Sequence, residues 1–162
     1  MTPLHTPAEM RTLSNVGHWI EGGILAVVAL LASVEAATPF QGGVVAFAWP
    51  VFIFVAGLAL PVFMLLHHGW ANLATSWRFV MRDPQQRQHF TMAALLFLAG
   101  SAEVWQRLSG GSAIPFGLAW PGALAIVGSL FLIHTQYGTH DAVSWAVQVH
   151  RYLGLVLIAA AA

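Results

Sequence analysis

The chain contains no cysteine, which excludes disulfides, iron–sulfur clusters and thiolate metal sites. Any metal it binds must use imidazole, thioether, carboxylate or backbone oxygen. Lysine is absent as well, and all six basic residues are arginine. Charged residues fill only 7% of the 162 positions, against about 25% in an ordinary soluble domain, so a water-soluble globule is excluded. Disorder needs few apolar residues, whereas 58% of this chain is hydrophobic. The formal net charge is zero, which gives no basic surplus for a nucleic-acid partner.

What remains is apolar sequence in long runs. Five segments stand out: 16–37, Val44–His67, 89–108, 118–136 and 146–162. They lack the polar/apolar alternation of barrel strands and are too long for them. The expected fold is therefore all-α, an integral membrane helical bundle with five transmembrane helices, the fifth short. A polar segment, 1–15, precedes the bundle of 16–162. That segment lacks the basic-then-apolar order of a cleaved signal peptide, so insertion is expected to start with the first helix. The stretches 38–43, 109–112 and 137–141 read as turns, and 69–88 as the longest loop.

Threading five spans through a bilayer puts Arg11, Arg78, Arg82, Arg87 and Arg151 on the side of the N-terminus, and only Arg107 on the other. Short-loop arginine bias marks the first side as cytoplasmic, and the expected location is a bacterial inner membrane. Tryptophan agrees. Trp19, Trp70, Trp77 and Trp145 fall near one interface, and Trp49, Trp105 and Trp120 near the other.

On this topology all eight histidines (His5, His18, His67, His68, His89, His134, His140 and His150) lie at or near the cytoplasmic side. Histidine suits interfaces in general, which covers the loop-borne His5, His68 and His140. It does not explain why the other side has none. Imidazole is the commonest metal ligand, and ionisable groups within a membrane are costly without a function.

Glycine follows His18, His134 and His150 by four residues, at Gly22, Gly138 and Gly154. For His18 and His150 the glycine sits one turn deeper on the same helix face. It makes room there either for a flat macrocycle or for a neighbouring helix. Met64 precedes His67 by three residues and Met92 follows His89 by three. Thioether beside imidazole suits copper, although methionine also fills apolar gaps. Glu21, one turn from His18, can orient it. Glu103 and Arg107 are four apart and can pair.

The third segment reads His89-Phe90-Thr91-Met92, and the fifth contains His150-Arg151-Tyr152-Leu153-Gly154. Over 88–156 this order resembles the central helices of the cytochrome b561 superfamily. The resemblance implies a b-type haem held between His89 and His150, with Gly154 beside its ligand. The family's second haem has no ligands here, so a single-haem relative is implied. A weaker likeness is to the D-type membrane copper-resistance proteins.

Three functions are therefore expected to compete. The first is a membrane b-type cytochrome, or an electron-transfer component of an oxidoreductase. It would use haem b on His89 and His150, with His18, His134, Gly22 and Gly154 nearby, and quinone or other membrane redox subunits as partners. The second is a copper-binding or copper-transporting protein using His67, His89, His134, His150, Met64 and Met92. The third is a structural subunit without a cofactor.

Overall fold

A computed structural model of the chain describes the backbone of residues 7–37, 43–67, 73–110, 117–134 and 140–162, and their side chains except those of 7–11, 13–15, 17, 18, 21, 64–67, 73, 79 and 140–144. The described residues form six helices: α1 Pro7–Ala37, α2 Val44–His67, α3 Leu73–Arg82, α4 Pro84–Leu108, α5 Ala119–Leu132 and α6 His140–Ala161. No strand occurs among them, as the lack of alternation predicts.

One stretch of α2, Val44–Phe63, is long and apolar enough to cross a membrane. The apolar stretches Gly22–Ala37, Ala119–Leu132 and Trp145–Ala161 are shorter. Val51, Val55, Leu58 and Val62 of α2 are all exposed, one apolar stripe at helical spacing.

Several boundaries differ from the sequence expectation, among them the fourth segment, expected to 136, whose helix ends at Leu132. The helix expected from residue 89 starts at Pro84, because Asp83 caps it. The Asp83 carboxylate accepts a hydrogen bond from the Gln86 backbone N–H at 2.9 Å, and Pro84 occupies the first helical turn. Both are favoured at those positions, since the cap satisfies an orphan donor and proline has none to lose. Replacing Asp83 by alanine is expected to lower stability by about 1 kcal/mol, readable as a lowered unfolding midpoint.

The stretch 69–88, expected as a loop, contains α3. Its Ser76 and Val80, one turn apart, are buried, and Arg78, Met81 and Arg82 are exposed. Trp77 sets its ring edge against Phe90 of α4, with centroids 5.2 Å apart. The last helix starts at His140 rather than 146 and runs for 22 residues. His140 and Asp141, expected in a turn, are helical, and His150 lies in mid-helix. At the other end, the segment expected as a polar lead-in is helical from Pro7.

Two helix pairs carry the architecture, and each closes on a pair of glycines. Where α2 crosses α4, a Cβ at Gly100 would stand 2.6 Å from the Phe54 backbone nitrogen, and one at Gly57 would strike the backbone of Phe97. Where α5 crosses α6, a Cβ at Gly154 would stand 2.6 Å from the carbonyl oxygen of Gly128. The small residues let backbones touch directly, the packing mode used where apolar surroundings supply no drive of their own. Helix α4 also packs against α5 and α3, and α1 against α2. A cluster of Val28, Trp49 and Ile53, flanked by Leu96 and Trp120, ties α1, α2, α4 and α5 together.

Candidate metal centre

Three of the expected ligands meet at one end of the bundle. His89 sits in the second turn of α4, His134 just past the end of α5, and His150 in the middle of α6. The rings of His89 and His134 lie 5.0 Å apart, centroid to centroid, and those of His134 and His150 lie 4.4 Å apart, both edge to face. His134 therefore contacts both of the others. It is 8% exposed and His150 6%; His89 is half-buried.

Local structure holds each ring. The Nδ1 of His89 lies 2.9 Å from the carbonyl oxygen of Gln85. A carbonyl only accepts, so Nδ1 is the donor in this contact. Metal-bound histidines are characteristically fixed through the other ring nitrogen in this way. The neighbouring residue, Gln88, donates from Nε2 to the carbonyl of Ile133 at 3.2 Å. Ile133 caps the C-terminus of α5, so this bond ties the segment bearing His134 to the start of α4. Phe131 stacks nearly parallel on His150 at 5.4 Å and meets His134 edge-on at 6.3 Å.

The spacing separates two kinds of site. With a metal–nitrogen bond of about 2 Å, imidazoles at right or tetrahedral angles on one ion have ring centres about 4.5–5 Å apart. Axial imidazoles on opposite sides of a haem iron have them about 6 Å apart. Both contacting pairs match the first figure, and neither is the His89–His150 pair that a haem would use. Gly154 points the same way, because the space beside it is filled by the backbone of Gly128 and the side chains of Leu132 and Phe131. The neighbouring-helix reading of that glycine fits this contact. As the side chains stand, no group of three His, Cys, Asp or Glu among the described residues is arranged to hold an ion. For one ion to take all three, the rings would have to rotate to bring their nitrogens to a common point.

The remaining expected residues divide. Met92 is buried at 6% exposure on α4, one turn beyond His89. Gly22 is exposed, and nothing lies within 4 Å of a Cβ placed there. Helical backbone is described at His18, Met64, His67 and His140, but their side chains lie outside the described residues, as does that of Glu21. His5, His68 and Gly138 lie outside them altogether.

Comparison with known protein families, with characterised proteins and with solved structures yields no match for this chain.

Proposed function

We propose that this chain is an integral membrane protein that binds a transition-metal ion of the copper class through His89, His134 and His150 and handles that ion at one membrane face. The observation that carries the reading is the contact of three imidazoles, supplied by α4, the end of α5 and α6, at spacings suited to one small ion. Copper is favoured because its divalent form heads the affinity order for nitrogen ligands, while the thioether of Met92, one turn from His89, suits the monovalent form.

The membrane part of the proposal rests on the exposed apolar stripe of α2, a surface that water would penalise heavily. In it, α1, α2, α4, α5 and α6 span the bilayer, and α3 lies along the interface with Arg78 and Arg82 outward. Arg78, Arg82, Arg87 and Arg151 belong to the same end as the histidines, so the metal faces the cytoplasm by the positive-inside rule.

A haem b on His89 and His150 is the second reading, favoured by the arrival of those two residues in one layer from separate helices. It requires His134 to leave its contacts with both. The two readings separate on one purified sample in detergent. We expect no α band in the reduced-minus-oxidised spectrum, one Cu(II) bound per chain on titration, and a paramagnetic resonance spectrum with imidazole nitrogen splittings. A Soret and α band in stoichiometric amount would replace copper with haem. Absence of both would leave a scaffold without a cofactor.

A further inference from the structure

The opposite end of the bundle holds a second polar site, built from residues the metal reading does not use. Glu103 and Arg107 pair as their spacing predicts, Arg107 Nε donating to Glu103 Oε1 at 2.9 Å. The same guanidinium reaches 72 positions back in sequence to Glu35 of α1, Nη1 to Oε1 at 2.5 Å, and also donates to the carbonyl of Ala46. Trp49 of α2 donates its indole N–H to the other oxygen of Glu35 at 2.5 Å, and its ring lies 5.0 Å from the guanidinium carbon. Beside this network is a cavity of about 660 Å³ lined by Glu35, Trp49, Glu103, Gln106 and Arg107. That volume is typical of small-molecule sites.

The charges decide what the cavity can take. Two carboxylates face one guanidinium, so the network carries one unbalanced negative charge. These side chains are only partly exposed, so the surplus favours a cation beside it. An anion is excluded, since Arg107 is already outnumbered. Glu103 meets Arg107 through one oxygen only, and Gln106, which lines the cavity, has an Oε1 that accepts no hydrogen bond and reaches a ligand by turning outward. The site therefore offers acceptors together with negative charge and an aromatic wall. A ligand matching all three is a positive group that also donates N–H bonds and carries an apolar body.

We propose that this cavity binds a small organic ammonium, with its N–H groups on Glu103 and Gln106 and its apolar part against Trp49. The site is separate from the metal centre and stands whether or not that centre binds copper.

The test is calorimetric titration of the full chain in lipid nanodiscs with three probes of nearly one shape. Benzylammonium has charge and N–H donors, benzyl alcohol has a donor without charge, and benzyltrimethylammonium has charge without a donor. Benzylammonium is expected to saturate one site with a Kd of order 1 mM or tighter, and the other two to bind at least about tenfold more weakly. Glu103→Gln removes the surplus charge and is expected to cost at least about tenfold in affinity. Ala36→Phe, at an exposed position lining the cavity, fills the space with the ion pairs intact and is expected to abolish saturation. Saturable binding that ignores both substitutions, equal binding of all three probes, or no saturation by benzylammonium in the wild-type chain overturns the proposal.

Discussion

Replacing Gly128 by leucine is expected to part α5 from α6 and, with them, His134 from His150. A Cβ at this position would stand 2.7 Å from the carbonyl oxygen of Gly154 and 2.9 Å from Ile158 Cγ1. The first obstacle is backbone, which cannot rotate away as a side chain can. The only relief is to move a helix, and an intrusion of this size into packed structure costs roughly 3 kcal/mol or more. The residue layer that follows is the proposed metal centre, since Phe131, three positions on from Gly128, stacks on His150. Both the unfolding midpoint and copper stoichiometry should therefore fall. Gly22→Leu supplies the control: nothing lies near its added Cβ, so neither quantity should change. A Gly128→Leu protein that keeps both would show that the α5–α6 contact does not position the site.

The second large effect belongs to His134. It is the ring in contact with both of the others, so His134→Ala removes one donor and the packing that holds two. Loss of residues that merely support metal ligands costs 10- to 100-fold in affinity. For a ligand that also supports its neighbours, a loss of at least about 100-fold in Cu(II) affinity is expected. Met92→Leu should leave Cu(II) nearly untouched and weaken Cu(I) instead, because thioether prefers the softer ion. Competition with a chelator of known affinity measures all of these. If His134→Ala binds Cu(II) as the wild type does, the three-imidazole site is wrong, whatever the spectrum of the intact protein.

The sequence made some of this legible, for identifiable reasons. Helix α2 has the bounds its apolar run predicts, since nothing but composition defines it. The start of α4 is displaced because a polar run, 84–88, reads as loop until Asp83-Pro84 is recognised as a cap and first turn. That signal is present in the sequence. Helix α3 escapes a search for spans, being only ten residues long with a single buried face. At the site, His89 and His150 stand out by their spacing to Met92 and Gly154. The central place of His134 cannot be read from spacing, because it follows the end of α5 and depends on how α4 and α6 pack around that end. Glu103–Arg107 is visible as a one-turn pair. Glu35–Arg107 spans two helices and has no linear signature.

The early start of α6 has a consequence for traffic. His150 is ten residues beyond His140, so about 15 Å of helix extends past the three rings toward the nearer surface. In the proposed reading, an ion bound at these rings lies well below the start of α6, so a carrier that only brushes the end of that helix does not reach it. On the copper reading, exchange with free chelators is expected to slow as their bulk grows.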